Sequence, residues 1–254
     1  METAFAERLV RAGAKAAMPF FRSGLSYKQK SGPHDLVTAA DIAAQEVMRQ
    51  LIECEYPSDG ITGEEDLDTE GQRRWLIDPV DGTLAFARGL SGWSIASCLM
   101  EADKVLASVV FDPLGEELYA ASADTSTSLN SITIQSSQST LESGVIRVWQ
   151  DRSLHSMPGF TDSMQNLSKA AAVVLTTASG SLALAHVAAG RLDGWAEYYP
   201  AGKDKSWDWN PGSLIVKAAG GHTLIQGRWR IAAGSKTLAE EIMAQLKLDH
   251  QSAS

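Results

Sequence analysis

The sequence feature that most constrains the fold is a short apolar segment that leads directly into two carboxylates. Trp75–Ile77 has the composition of a buried strand, and Asp-Pro-Val-Asp-Gly-Thr follows it at residues 78–83. A strand that ends in Asp places the carboxylate at the edge of a sheet, where the sites of layered α/β proteins commonly lie. Because Pro79 fixes the backbone and Gly82 permits a sharp turn, we expect Asp81 to point the same way as Asp78.

The same segment offers oxygen ligands for a cation and amide donors for a phosphate. The carbonyl of Val80 lies between the two carboxylates, and carboxylate and carbonyl oxygens suit magnesium rather than zinc or copper. The amides of Gly82 and Thr83 stand at a predicted helix start, which favours binding of a phosphate oxygen. The alternative is a plain turn, since Asp, Pro and Gly all favour turns.

Further acidic residues could complete such a site. Glu64 and Glu65 belong to Gly-Glu-Glu-Asp at residues 63–66, and Asp208 follows Trp207 just before a predicted helix. Two Asp together with Glu64 and Asp208 would carry enough charge for two cations, which lie roughly 3.5–4 Å apart in two-metal hydrolytic sites. Taken alone, the acidic run is also typical of a solvated turn, and Asp208 of a helix cap.

The other patterns predict a mixed, layered fold. Apolar spacing predicts helices at 4–21, 39–56, 181–189, 211–219 and 237–246, and strands at 75–77, 94–100, 105–111, 117–121, 144–149 and 172–175. Strands and helices alternate without one parallel period, so a layered α+β or α/β sandwich is favoured over a doubly wound fold. The Ser- and Thr-rich segment 122–143 is the predicted boundary between an N-terminal half, 1–140, and a C-terminal half, 141–254.

Composition limits the partners. The formal net charge of −9 argues against nucleic acid, whose phosphates are bound by clustered Lys and Arg. No segment has the length and apolarity of a membrane span, and the N-terminus lacks the pattern of a signal peptide. Cys54 and Cys98 lie far apart without CxxC spacing, which favours a reducing compartment. We therefore expect a cytoplasmic protein in which magnesium offsets repulsion between the acidic site and an anionic substrate.

Together these motifs resemble the signature blocks of the inositol monophosphatase superfamily. The blocks are Lys30-Ser-Gly-Pro-His-Asp-Leu-Val-Thr-Ala-Ala-Asp41, Gly63-Glu-Glu, the segment 78–83, and Trp207-Asp208 with Gly212 beyond. The match extends in order from about Lys30 to Gly221, and four blocks in order are far more specific than one. The resemblance implies a layered αβαβα sandwich, a magnesium-dependent and lithium-sensitive phosphatase, and often a homodimer.

The resemblance also implies a role for each matched residue. Two or three magnesium ions would be held by Glu64, Asp78, Val80 (through its carbonyl), Asp81, Asp208 and, through water, Glu65. Asp41 and Thr83 would form a hydrogen-bonded pair that takes a proton from the attacking water. Glu64 would be a third catalytic residue. The water would attack phosphorus directly, without a phosphoenzyme. Lys30 would lie on a mobile loop near the site, and the alternative is an ordinary surface Lys.

The substrate-binding segment follows the family pattern less closely. The predicted substrate-binding residues are Asp81, Gly82, Thr83, Ser179, Gly180, Glu197 and Asp208. Glu197 falls where family members that use inositol phosphates place a Glu on the substrate hydroxyls. Ala183 replaces the usual Asn or Asp, and the segment 198–206 is a few residues longer than usual, with Lys203 and Lys205 predicted to face solvent.

The expected substrate is therefore inositol 1-phosphate or a related polyol or sugar phosphate. Histidinol phosphate, fructose 1,6-bisphosphate and a 3′-phosphoadenosine nucleotide are the alternatives within the same chemistry. A non-catalytic metal- or phosphate-binding regulator is the alternative outside it, and it would be favoured if a ligand residue were missing.

Overall fold

Two amphipathic helices form the first layer of the protein. The structure, a computed structural model, describes residues 2–24, 27–32, 35–65, 67–123, 127–176, 178–200 and 206–247, with only the backbone at 27, 29–32, 35 and 36. Helix α1, Glu2–Ala17, buries an apolar stripe that includes Phe5 and Leu9. Helix α2, Ala39–Glu55, begins with a capping box in which Thr38 and Asp41 satisfy each other's backbone and side-chain groups.

The remaining helices and the strands follow in chain order. The helices are α3 (Thr83–Ala87), α4 (Phe160–Ala170), α5 (Gly180–Ala188), α6 (Ser206–Ala218) and α7 (Lys236–Gln245). The strands are β1 (Tyr27–Gly32), β2 (Asp35–Thr38), β3 (Gly60–Gly63), β4 (Leu67–Thr69), β5 (Arg73–Asp81), β6 (Ser94–Glu101), β7 (Lys104–Asp112), β8 (Glu117–Ser122), β9 (Ser128–Leu129), β10 (Ile132–Thr133), β11 (Val145–Val148), β12 (Val173–Leu175), β13 (Gly194–Tyr198), β14 (His222–Gln226) and β15 (Trp229–Ala233). Single 3₁₀ turns lie at Met18–Phe20 and Leu154–Ser156.

The described strands form two large mixed sheets and one small two-stranded sheet. The first sheet has the order β10-β9-β8-β7-β6-β5-β3-β4, and only its β3–β5 pair is parallel. The second sheet has the order β12-β11-β13-β15-β14, with β11 parallel to both of its neighbours. β1 and β2 pair separately. Because both sheets contain parallel and antiparallel pairs, strands and helices do not alternate along the sequence with the regular spacing of an all-parallel sheet.

Three apolar cores alternate with the two sheets. Helices α1 and α2 pack on one face of the first sheet, through residues such as Trp75 and Ile95. Helices α5 and α6 lie between the sheets, against Val110 on one side and Trp195 on the other. Helices α4 and α7 cover the outer face of the second sheet, around Phe160. The layers therefore run α, β, α, β, α, which confirms the expected αβαβα sandwich.

Two elements that carry the site differ from their predicted limits. The strand predicted at 75–77 extends over Arg73–Asp81, so the acidic segment belongs to the strand instead of following it. The helix predicted at 211–219 begins at Ser206, with Pro211 inside it. Pro is most frequent in the first turn of a helix, and that preference placed the predicted start too late.

Several predicted elements are confirmed and others were missed. The structure confirms the two N-terminal helices, the strands at 94–100, 105–111 and 117–121, and the helices at 181–189 and 237–246, each within a few residues. α1 ends earlier than predicted, since a 3₁₀ turn containing Pro19 follows it. Other elements were not predicted from the sequence: α4, β3, β4, β13, β14, β15 and the short strands β1, β2, β9 and β10.

The two sheets come from different stretches of the chain. Strands of the first sheet lie between residues 60 and 133, and those of the second lie between 145 and 233. Helices α5 and α6 share a core with both sheets, however, so the division into 1–140 and 141–254 stays a prediction. Among the described residues, no helix combines the length and the apolarity that crossing a membrane requires.

Candidate active site

An irregularity near the end of β5 brings Asp78 and Asp81 together. In a regular strand, residues three apart face opposite sides of the sheet. The pairing of β5 with β6 shifts register between Asp78 and Asp81, around Pro79, which has no amide hydrogen for the ladder. Both carboxylates are buried, and they are close enough for the charge of Asp81 to raise the pKa of Asp78. The sequence predicted this convergence, but it did not predict the bulge that produces it.

Asp78 lies at the centre of an acidic cluster. Burial raises the pKa of Asp78 well above its usual range, and the nearby carboxylates of Glu64, Asp81 and Asp208 raise it further. Its Oδ1 accepts a hydrogen bond from the amide of Val80 at 3.2 Å. Its Oδ2 is buried and has no hydrogen-bond donor among the described residues. The structure thus brings together four acidic residues that the sequence analysis predicted to act as one site.

Asp81 is bound at the N-terminus of α5. Its Oδ2 accepts hydrogen bonds from Ser179 Oγ at 2.6 Å and from the Ser181 amide at 2.7 Å, and its Oδ1 accepts one from the Gly180 amide at 3.2 Å. Burial raises the pKa of Asp81, while these hydrogen bonds and the charge of Arg147 oppose the rise. A carboxylate here is favoured by the free amides and the dipole of a helix N-terminus. Ser179 and Gly180, predicted to bind substrate, therefore contact Asp81 directly.

Glu64 and Glu65 follow β3 and are fixed by a residue that the sequence analysis missed. Gln45, on α2, donates from Nε2 to the carbonyl of Glu65 at 2.7 Å and accepts from its amide at 3.0 Å. Both Glu residues are half-buried. The sequence signal for Gln45 was its position one helical turn after Asp41, on the same face of α2.

Thr83 and Asp41 form the hydrogen-bonded pair that the resemblance implied. The hydroxyl of Thr83 lies 3.3 Å from Asp41 Oδ1 and 3.1 Å from the carbonyl of Val80. The other oxygen of Asp41 accepts hydrogen bonds from the amide and the hydroxyl of Thr38, at 2.9 and 2.6 Å. Asp41 is completely buried, so these contacts hold its carboxylate in one orientation.

Gly82 turns the chain from β5 into α3. Its φ of +94° lies in the left-handed region, where a residue with a Cβ is strained. Thr83 is the first residue of α3, as the predicted helix start required. The two residues predicted to supply amides for a phosphate therefore lie beside the acidic cluster, next to Val80.

Asp208 and Glu197 approach the site from the C-terminal half of the chain. Asp208 lies in the first turn of α6, and its carbonyl accepts a hydrogen bond from Ser181 Oγ at 3.0 Å. A Cβ placed on Gly180 would lie 3.6 Å from Glu197 Oε2 and 3.9 Å from the Cβ of Asp208. The N-terminus of α5 therefore stands between these two side chains, close to Asp81.

Basic and aromatic residues near Glu197 were also missed. Arg147 is buried, and loss of solvent lowers its pKa to about 10 although the charges of Asp81 and Glu197 favour its protonated form. Arg230 pairs with Glu197 across β13 and β15, and its guanidinium lies 4.1 Å from the ring centre of Tyr199. Arg residues on strands are common, so the sequence held no specific signal for either.

Some predicted positions lie in the core or outside the part of the chain whose side chains are described. Ala183 is completely buried in the core between the sheets. Its difference from the family pattern therefore affects core packing and not an exposed surface that could contact substrate. Lys30 lies in β1, but only its backbone is described. Asp66, Lys203 and Lys205 lie outside the described residues, and the roles predicted for Lys30, Lys203 and Lys205 stay predictions.

The donor set is chemically suited to a hard cation. Carboxylates from β5, from α6 and from the turn after β3 supply only oxygen, as does the carbonyl of Val80. The buried Oδ2 of Asp78 is an acceptor that a cation would satisfy. In the described part of the chain, no three Asp, Glu, His or Cys side chains are arranged to enclose an ion as they stand.

A family model matches almost the whole chain. The model of the inositol monophosphatase family matches residues 2–251. The chain belongs to the inositol monophosphatase family. The family resemblance given by the sequence motifs is thereby confirmed, and the family is one of phosphatases.

Individual relatives agree with this assignment. An inositol-1-monophosphatase of Rhizobium meliloti (strain 1021) is 30% identical over 220 residues, which cover 85% of this chain and 81% of the relative. A fructose-1,6-bisphosphatase/inositol-1-monophosphatase of Thermotoga maritima is 32% identical over 203 residues, or 76% and 73% of the two chains. The solved structure of the extragenic suppressor protein suhB of Bartonella henselae superimposes with a TM-score of 0.88 at 24% identity and covers 96% of this chain and 97% of that one, which shows a shared fold.

Proposed function

We propose that this inositol monophosphatase family member is a magnesium-dependent phosphatase that hydrolyses a small phosphomonoester. The observation that carries the proposal is the cluster of Glu64, Asp78, Asp81 and Asp208, whose charges act together on buried Asp78. Like charges are costly to bury without compensation. A divalent cation would supply that compensation, and it would also attract an anionic substrate to an acidic protein.

Magnesium is the cation that the donor set fits best. Its proposed ligands are Glu64, Asp78, Asp81, Asp208 and the carbonyl of Val80, with Glu65 acting through water, for two or three ions. When bound, magnesium neutralises phosphate charge and makes a coordinated water more acidic. The chain's part is to bring these carboxylates close together and to orient them.

Thr83 and Asp41 would move the proton of the attacking water. The hydroxyl of Thr83 can donate its proton to Asp41 Oδ1 while its oxygen accepts one from the water, so the water becomes a better nucleophile. Asp41 is prepared for this role because Thr38 binds its other oxygen. Glu64, in the turn after β3, would act with Asp41 and Thr83 as the third catalytic residue. Attack on phosphorus would then be direct.

The amides of Gly82 and Thr83 would bind the phosphate, since they lie at the start of α3 beside the acidic cluster. The leaving group would lie toward the N-terminus of α5, between Asp208 and Glu197. Carboxylates there are good acceptors for the hydroxyls of a polyol. Inositol 1-phosphate or a related polyol or sugar phosphate is therefore the proposed substrate.

A second substrate is favoured by two observations. Arg147 and Arg230 place two cations near Glu197, and a relative at 32% identity is named as a fructose-1,6-bisphosphatase as well as an inositol-1-monophosphatase. A leaving group that carries a second phosphate would match these cations. Fructose 1,6-bisphosphate is thus the alternative substrate. A homodimer in the cytoplasm and sensitivity to lithium complete the proposal, as expected from the family resemblance.

The test is a phosphatase assay over a panel of substrates. Purified protein is given inositol 1-phosphate, fructose 1,6-bisphosphate, histidinol phosphate, a 3′-phosphoadenosine nucleotide and an aryl phosphate, each with magnesium and with EDTA. We expect release of phosphate that EDTA abolishes and magnesium restores, with inositol 1-phosphate preferred. A protein that binds magnesium but hydrolyses none of the panel would instead support a non-catalytic regulator.

A further inference from the structure

Gln45 connects the helix that carries Asp41 to the turn that carries two of the acidic residues. It lies on α2 four residues after Asp41, so both side chains leave the same face of the helix. Only 8% of its surface is exposed. A buried side-chain amide has to find hydrogen-bond partners, and the partners of Gln45 both belong to Glu65.

The contact between Gln45 and Glu65 is a paired one. Nε2 donates to the carbonyl of Glu65 at 2.7 Å, and Oε1 accepts from the amide of Glu65 at 3.0 Å. The side-chain amide thus bonds the donor and the acceptor of one residue, as a neighbouring strand would. Glu65 is thereby fixed just beyond the end of β3, where the regular strand pairing of β3 stops.

Gly63 shows how closely Gln45 approaches this turn. A Cβ on Gly63 would collide with Oε1 of Gln45, and it would lie 3.3 Å from Ile77. The φ of Gly63 is not in the left-handed region, so backbone strain does not require glycine here. Glycine at this position leaves room for the amide of Gln45 instead.

We propose that Gln45 is a positioning residue for the cation site: it holds the backbone of the Glu64–Glu65 turn and so keeps the carboxylate of Glu64 close to Asp78. The assignment rests on the proposed function, in which Glu64 and Glu65 act on magnesium. Residues that orient metal ligands typically contribute 10- to 100-fold to metal affinity. Here the orientation acts through the backbone of the ligand segment and not through a carboxylate.

The test is the substitution Gln45→Met, with Gln50→Met as the matched control. Met fills nearly the same volume as Gln without forming these hydrogen bonds. Gln50 lies on the same helix, but it is exposed and bonds only Glu46 in the described structure. Magnesium is titrated against the melting temperature of each protein, and separately against its rate of hydrolysis of an aryl phosphate.

We expect Gln45→Met to raise the half-saturating magnesium concentration about tenfold or more in both titrations. Because the reacting groups are untouched, kcat at saturating magnesium should change little. Gln50→Met should match the wild type in all of these measurements. Hydrogen exchange in EDTA should show faster exchange of the peptide that contains Glu65 in Gln45→Met only.

Gly63→Ala provides a second variant if Gln45→Met folds poorly. Its methyl group would displace the amide of Gln45 from the other side, so it should reproduce the magnesium shift. If the wild type responds to magnesium and neither variant changes the half-saturating concentration, the assignment of Gln45 is overturned while the proposed function stands. If the wild type neither binds magnesium nor hydrolyses any phosphomonoester, the proposed function and this assignment are both overturned.

Discussion

Thr83 connects two segments of the site through one hydroxyl group, which lies within hydrogen-bonding distance of Asp41 and the carbonyl of Val80. Thr83→Val keeps the shape of the side chain but removes the group that would relay the proton. We expect kcat to fall by about 10²- to 10⁴-fold, the usual contribution of a general base, with little change in KM. Thr83→Ser keeps the hydroxyl and should retain most of the activity. Steady-state kinetics on an aryl phosphate measure both, and equal activity of Val and Ser variants would contradict the role.

The raised pKa of Asp78 predicts that the stability of the metal-free protein depends on pH. The pKa is raised above the unfolded value of 3.8 because Asp78 is buried and close to other carboxylates. A raised pKa means that the folded protein binds the proton more tightly than the unfolded one, so stability is lost as pH rises from about 4 through the raised pKa. In EDTA near neutral pH, Asp78→Asn should therefore melt about 2–4 °C above the wild type, roughly 1 kcal/mol for a chain of this length.

That advantage of Asp78→Asn should shrink as the pH is lowered toward about 4, where the wild-type carboxyl is protonated. Asp103→Asn, in the exposed turn between β6 and β7, is the control and should follow the wild type at every pH. Melting curves by circular dichroism test the comparison. A variant that melts below the wild type at all pH values would show that the ionised carboxylate is not a cost to the metal-free fold.

At the scale of residues, the sequence predicted side chains better than it predicted their partners. Asp78 and Asp81 were predictable because a strand followed by Pro and Gly limits where their side chains can point. Gln45 and Ser179 contact their partners 20 and 98 residues away in sequence. No local pattern encodes a contact of that kind, since it depends on how the layers pack.

Among the elements, α5 stabilises the site through its first residues. Ser179 caps the helix by accepting from the Leu182 amide at 3.1 Å, and the same hydroxyl donates to Asp81. Ser235 caps α7 in the same way, at 3.2 Å from the Leu238 amide. Ser179→Ala and Ser235→Ala should each cost about 1 kcal/mol of stability through the lost cap.

Only the first of these substitutions should affect function. Ser179→Ala removes a donor from Asp81, so we expect weaker magnesium binding and a lower rate at limiting magnesium. Ser235→Ala, which caps a helix on the outer face of the second sheet, should leave both unchanged. Urea unfolding measures the stability, and magnesium titration of activity measures the function. Equal behaviour of the two variants in the titration would show that the α5 cap has no part in the site.

Element prediction succeeded where apolar periodicity was strong and failed where it was weak. The segment of α4 is mostly polar, although Phe160, Met164 and Leu167 recur at helical spacing and are buried. That spacing was a usable signal. β9 and β10 have two residues each, which is too short for any alternation to appear. Their place at the edge of the first sheet is set by the neighbouring strand.

At the scale of the whole molecule, the αβαβα order could not be derived from periodicity. Helices α5 and α6 bury residues toward both sheets, so their apolar faces are broad and do not show which sheet each one contacts. The order of layers came instead from the resemblance of four motifs to a known family. The candidate site depends on that order, because Asp208 reaches Asp78 only when α6 lies between the sheets.

Magnesium should therefore stabilise the whole molecule, since it would bind carboxylates from β5 in the N-terminal half and from α6 in the C-terminal half. A ligand present at 100 times its dissociation constant adds about 2.7 kcal/mol to the free energy of unfolding. For a chain of this length that corresponds to a rise in melting temperature of roughly 5–10 °C. The net charge of −9 makes a salt control necessary, because screening alone reduces repulsion. Sodium chloride at equal ionic strength should give a much smaller rise, and Asp208→Asn should lose most of the magnesium effect. Equal rises with the two salts would show that magnesium acts only by screening and would contradict a site shared between the two halves.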